Sequence, residues 1–145
     1  MMDSNEVVNA FQNDSLGSDD AVGIADKIKK GELSASLVTR DAIERAKAVN
    51  PKLNAITVEN FDLAQTNSEK PFTGFFQGVP TFIKDTDEVP DLPLYLGSRS
   101  LPGEPSDKYS KAAKQIIDTG LNCLGTTTTP EFGLTGTTES LRFGA

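Results

Sequence analysis

Apolar positions along the chain alternate between a helical period and short, dense runs. Ala21, Ile24, Ala25 and Ile28 recur at i, i+3, i+4 and i+7, one stripe of a helix. Ser18 or Asp19 is placed to cap it, and Lys29, Lys30 and Gly31 to end it, so the pattern predicts a helix over 21–30. Leu37, Val38, Ala42, Ala46 and Val49 make the apolar side of a second helix over 35–50, with Ser34 as its cap. Pro51 is its expected stop, because the residue before a proline avoids helical angles. Leu53 to Val58 is apolar and β-branched, which predicts a strand. A short helix over 60–67 follows, then a loop over 68–77 containing Pro71 and Gly74.

Val79 to Ile83 is the next strand, and 87–107, with four prolines, is irregular chain. Tyr109, Ala112, Ala113, Ile116 and Ile117 predict a helix over 107–119 that Gly120 ends, and Leu121 to Gly125 predicts a third strand. Helix, glycine, short buried strand is half of a right-handed crossover unit, so the class is α/β. Pro130-Glu131 can open one more short helix. Residues 1–17, rich in Asn, Ser and Asp, read as a mobile or weakly helical tail. The remaining residues, 18–145, suffice for one domain with a core.

Charge and rare residues narrow the chemistry. A net charge of −7 argues against a nucleic-acid or anionic-membrane surface, which needs basic clusters. No run of 18 apolar residues exists to span a bilayer. The lone cysteine, Cys123, cannot form an internal disulfide and lies in an apolar run, so a buried structural thiol in a reducing compartment is expected. These features together predict a cytoplasmic location. The chain has no histidine, which excludes a Ser-His-Asp or Cys-His arrangement and a His-based zinc site within it. Lysine is the alternative proton carrier in serine hydrolases.

One octapeptide carries a lysine in a telling place. Gly78-Val79-Pro80-Thr81-Phe82-Ile83-Lys84-Asp85 reads as a loop glycine, a short apolar strand, and a lysine where the strand ends. Ligands of open α/β sheets bind outside the carboxyl ends of strands. The competing reading is a surface lysine after a core strand.

Gly78-Val79-Pro80, three residues, then Lys84-Asp85 resembles the lysine motif of the amidase signature family. Val49-Asn50-Pro51-Lys52-Leu53-Asn54-Ala55-Ile56 resembles the family's stretch between its first long helix and an early strand. Gly97-Ser98 resembles its Gly-Ser pair in the irregular stretch. Gly125 to Gly133, followed by Thr137-Thr138-Glu139 and Phe143-Gly144-Ala145, resembles the segment leading to its nucleophile region. The order and spacing match from about Asp19 to Ala145.

The resemblance implies the N-terminal portion of an α/β/α sandwich with a mixed central sheet, ending before the family's glycine-serine-rich nucleophile loop. It implies hydrolysis of a small-molecule amide by a Ser-cisSer-Lys triad, with neither metal nor cofactor. Of those parts this chain carries Lys84 alone, so by itself it is expected to be inactive. Phe132, Gly133 and Leu134 correspond by position to the segment that lines the acyl pocket in some relatives; packing of a helix is the other reading. Ser98, Ser100 and Ser140 lack the glycine neighbours that would expose an Oγ beside N–H donors, and read as turn or capping serines. Two departures stand out: Thr126-Thr127-Thr128 where the family commonly has Lys-Thr-Asn, and Thr86-Asp87-Glu88 where a hydrophobic residue and Asn often follow the Lys-Asp pair. The substrate stays open among aryl, fatty and cyclic oligoamides and glutamine, as does the oligomeric state. A different class of reading is a non-catalytic binding or interaction module, or a remnant, derived from an amidase.

The lysine's implied role is demanding. A free lysine, with a pKa of about 10.4, is protonated at neutral pH, and lowering it by ~3 units corresponds to ~4 kcal/mol. Burial supplies such a shift and a neighbouring carboxylate opposes it. The Asp85 side chain is therefore expected to point away from the ammonium and to cap local backbone N–H groups.

Overall fold

The structure, a computed structural model, describes residues 7–145. Among these residues four helices, α1 (Ala21–Lys29), α2 (Ala35–Leu53), α3 (Phe61–Ser68) and α4 (Lys111–Ile117), accompany three strands, β1 (Ile56–Glu59), β2 (Pro80–Lys84) and β3 (Asn122–Thr127), and a 3₁₀ turn, η1 (Glu131–Gly133). The strands form one sheet in the order β1-β3-β2. β1 runs antiparallel to β3 and β2 runs parallel to it, so the sheet is mixed, as the resemblance implies. α4 lies between the two parallel strands in sequence, which is the crossover expected from the helix-glycine-strand pattern.

The core divides by sheet face. Phe82 and Leu124 pack with Ile43, Phe61 and Ala64 of α2 and α3. Their chain neighbours Ile83 and Cys123 pack with Val89, Leu92 and Ala113, the last from α4. Successive strand residues feed opposite layers, so both faces of the sheet are covered. A third cluster, Leu16, Ile24, Ala25, Val38 and Val79, seats α1 on α2.

The register shifts on both sides of β3. The β2–β3 pairing shifts between Thr81 and Ile83, and the β1–β3 pairing shifts between Ile56 and Val58. Such bulges break strict alternation. Ile56 accordingly faces the α2–α3 layer while Val58, two residues on, packs with the α4 layer. Gly125 has φ +143, and a Cβ there would stand 2.2 Å from the Val58 carbonyl oxygen.

Several boundaries differ from the sequence reading. α2 does not stop at Asn50; it runs through Pro51 to Leu53 and ends on a left-handed Asn54. Pro51 sits in the last turn, where it removes a single helical hydrogen bond. The Asn50 carbonyl accepts the Asn54 N–H at 2.7 Å, and its Oδ1 accepts those of Ala55 and Ile56. β1 therefore begins at Ile56 rather than Leu53. The cap of α1 is Asp20, not Ser18 or Asp19: its Oδ1 accepts the Gly23 N–H at 2.8 Å. α4 is shorter than 107–119, because Ser110 caps it through the Ala113 N–H. Of the tail expected over 1–17, residues 1–6 lie outside the described residues. Residues 14–17 form a docked turn instead: Arg45 of α2 grips Asp14 with two N–H groups and the Gly17 carbonyl with one, and Leu16 is buried.

Candidate active site

β2 delivers Lys84 to the carboxyl end of the parallel strand pair. In register, Ile83 lies beside Thr126 and Lys84 beside Thr127. The backbone is clamped there, since the Asp85 N–H donates to the Thr127 carbonyl at 2.9 Å and the Asp87 N–H to the Lys84 carbonyl at 3.1 Å. The strand alternation leaves Lys84 exposed and Asp85 fully buried.

Asp85 does what the sequence reading expected of it. Its Oδ1 accepts the Tyr95 N–H at 3.0 Å and its Oδ2 the Gly97 N–H at 3.1 Å. Burial pushes its carboxyl above the usual carboxylate range, and these backbone donors, with the Arg142 charge, pull the other way. The carboxylate thus folds the irregular stretch back over the strand end. Gly97 is glycine of necessity: at φ +65, a Cβ would meet the Thr129 carbonyl oxygen at 2.4 Å.

Arg142 closes the far side of this loop. Its guanidinium lies 3.8 Å from the Tyr95 ring centroid and donates to the Ser98 and Leu101 carbonyls, both at 3.0 Å. Tyr95 in turn packs edge-on against Phe143. Sequence reading missed Arg142; its only signal was an isolated cation between Leu141 and Phe143.

The serines are engaged elsewhere. Ser98 is fully buried and its Oγ donates to Glu131 Oε1 at 2.6 Å. Ser140 is buried and accepts the Phe143 N–H. Ser100 is exposed, with its Oγ 2.8 Å from that of Ser98. Buried threonine hydroxyls at the end of β3 and just beyond it, Thr126 and Thr129, have no hydrogen-bond partner.

Phe132 and Leu134 line a cleft of about 630 Å³ together with Ser100, Glu131, Glu139 and Leu141. They are 47% and 80% exposed, so they are not packing a helix into the core. Gly133 sits between them in η1 without lining the cleft, and neither does Lys84. The lysine and the cleft are joined through backbone instead: Asp85 holds the Tyr95 to Gly97 turn, and the Leu96 carbonyl accepts the Phe132 N–H at 2.8 Å. Among the described residues, no group of three or more His, Cys, Asp or Glu side chains is placed to hold a metal, and no helix is long and apolar enough to cross a membrane.

Comparison with known proteins agrees with this fold. The profile of the Amidase family matches residues 37–145. AmiC of Mycobacterium leprae, an amidase by name, is 39% identical over 137 residues, covering 94% of this chain and 29% of that protein. The 6-aminohexanoate-cyclic-dimer hydrolase of Paenarthrobacter ureafaciens is 32% identical over 129 residues, 87% of this chain and 26% of the hydrolase. A solved structure of 6-aminohexanoate cyclic dimer hydrolase superposes with a TM-score of 0.81 at 31% identity, covering 88% of this chain and 27% of its own. The chain therefore spans between a quarter and a third of the length of these relatives. With the fold, the lysine strand and the family match all in agreement, the chain belongs to the amidase signature family.

Proposed function

We propose that this chain supplies the lysine-bearing part of an amidase that hydrolyses a carboxylic amide, with Lys84 as the proton carrier of a Ser-cisSer-Lys triad. The observation that carries the reading is Lys84 itself, exposed at the carboxyl end of β2 on a backbone fixed by Thr127 and by the buried Asp85 beside it. The two serines and the oxyanion donors would come from sequence outside these 145 residues. Ser98 and Ser140 are buried and already bonded, and nothing pairs Ser100 with Lys84.

In that mechanism the neutral lysine takes the proton of a bridging serine, which takes that of the nucleophilic serine as it attacks the amide carbon. One proton passes from the lysine through the bridging serine to the departing amine, leaving an acyl-serine ester that water, deprotonated by the same relay, hydrolyses to the acid. Phe132 and Leu134, with Gly133 as the turn between them, would form one wall of the acyl pocket. A cyclic amide is one candidate substrate, since a relative is named as a 6-aminohexanoate-cyclic-dimer hydrolase.

Ammonia and amine release by the purified chain tests the reading, alongside a hybrid in which residues 1–145 replace the matching part of the Mycobacterium leprae relative. The chain alone should release neither, since loss of a nucleophile costs about a millionfold. The hybrid should turn over. Turnover by the chain alone that vanishes in Lys84→Ala would overturn this division of the site.

A further inference from the structure

We propose that the Ser98–Glu131 hydrogen bond sets the wall of the cleft, which makes these two residues positioning residues for acyl-group selectivity. The term acyl rests on the amidase reading; the positioning does not. Ser98 Oγ reaches three groups: Glu131 Oε1 at 2.6 Å, Ser100 Oγ at 2.8 Å and the Ser100 N–H at 3.1 Å. A hydroxyl has one proton and two lone pairs. The carboxylate takes the proton, so Ser100 must donate both its N–H and its O–H to Ser98. One buried hydroxyl thereby ties together two residues that line the cleft, Ser100 and Glu131.

The consequence falls on the residue after Glu131. Phe132 sits at φ +52, a left-handed conformation that a non-glycine side chain adopts at a cost. Two bonds tie it to the neighbouring loop, its own N–H on the Leu96 carbonyl and the side chain of Glu131 on Ser98, beside the turn bonds from the Gly133 N–H to the Pro130 carbonyl and from the Leu134 N–H to the Glu131 carbonyl. η1 has no buried residue of its own, so no core packing replaces those bonds. Without the Ser98 anchor, Phe132 is held less firmly in the left-handed region, and its ring spends less time on the wall. Since both bonds end on the Tyr95 to Ser98 stretch that Asp85 holds, the wall is registered to the lysine strand.

The test is amide exchange in the 145-residue chain, followed by kinetics in the hybrid. Glu131→Ala and Ser98→Ala should each speed exchange of the Phe132 N–H about fivefold to tenfold, the worth of one net hydrogen bond. The double variant should add nothing to the larger single effect, and Glu131→Gln, whose amide oxygen still accepts, should restore wild-type exchange. Amides of β3 report that the fold survives. In the hybrid, Glu131→Ala should raise KM for a long-chain amide relative to acetamide by a similar factor, and Glu131→Gln should recover the selectivity. Unchanged Phe132 exchange in both alanine variants overturns the positioning. Faster exchange with unchanged selectivity overturns the link to the acyl group. An inactive wild-type hybrid counts against the amidase reading, while the exchange result still decides the positioning.

Discussion

Asp85 Oδ2 accepts the Gly97 N–H at 3.1 Å, and through that bond the residue following the lysine anchors a loop twelve positions downstream. The carboxylate's other oxygen takes the Tyr95 N–H, so one buried side chain satisfies two backbone donors. Asp85→Ala leaves both donors without a partner at a fully buried position and should cost about 3 kcal/mol. Asp85→Asn keeps one acceptor and turns an NH₂ towards the other N–H, so it should fall between. Urea unfolding of the three proteins checks the order.

Gly125 allows no side chain. At φ +143, with the Val58 carbonyl oxygen only 2.2 Å from where a Cβ would stand, Gly125→Ala must move β1 away from β3. The expected loss exceeds about 3 kcal/mol, beyond the ordinary cost of an exposed substitution. Thermal melting against wild type measures it, and a change under about 1 kcal/mol would show that the double bulge is not needed.

How much of this was readable in the sequence depends on how local the cause is. Among the described residues, the apolar patterns located α1, α2, α4 and the three strands, because burial on one or both faces is written in residue spacing, while the short α3 was expected without such a stripe. Ends were harder. Pro51 reads as a stop, yet the turn around Asn50 and Asn54 lets the helix run past it, and that depends on side-chain bonds no period shows. Asp14 looks like tail composition until Arg45, 31 positions away, reaches it. The place of Lys84 at the strand end was legible in the short apolar run before it, and the turning-away of Asp85 was expected because a carboxylate beside the ammonium opposes the lysine's implied role. Arg142 and the Ser98–Glu131 tie were not, since they join loops whose approach is set by the whole fold.

The Asp14–Arg45 pair gives the chain a pH dependence with a definite sign. The bonded guanidinium holds the Asp14 carboxyl below its usual range, against some desolvation. A carboxyl lowered in the folded state contributes stability above its unfolded pKa, and that contribution is lost as pH falls through the folded value. Asp14→Asn should therefore lower stability at neutral pH by about 1–2 kcal/mol and flatten its fall in acid below about pH 4. Asp85 works in the opposite sense, its raised carboxyl losing stability as pH rises through its window, so Asp14→Asn against wild type isolates the acid limb.

Cys123 should stay silent until the fold opens. It is buried beside Ile83 and Ala113, and desolvation pushes its thiol above the ordinary range. A disulfide reagent should react with it only at the rate of opening, and should react fully in denaturant. Rapid labelling of the native chain would show that the layer between β3 and α4 is not closed.

The central claim is that Lys84 carries the proton, and kcat/KM for amide hydrolysis by the hybrid tests it most directly. Lys84→Ala should lower kcat/KM by about a thousandfold or more, while the melting temperature of the 145-residue chain stays unchanged, because there the side chain is exposed. Lys84→Arg should do little better, since a guanidinium keeps its proton at any pH the fold survives. If either variant retained activity within about tenfold of wild type, the proton would have another carrier and the role assigned to Lys84 would be wrong.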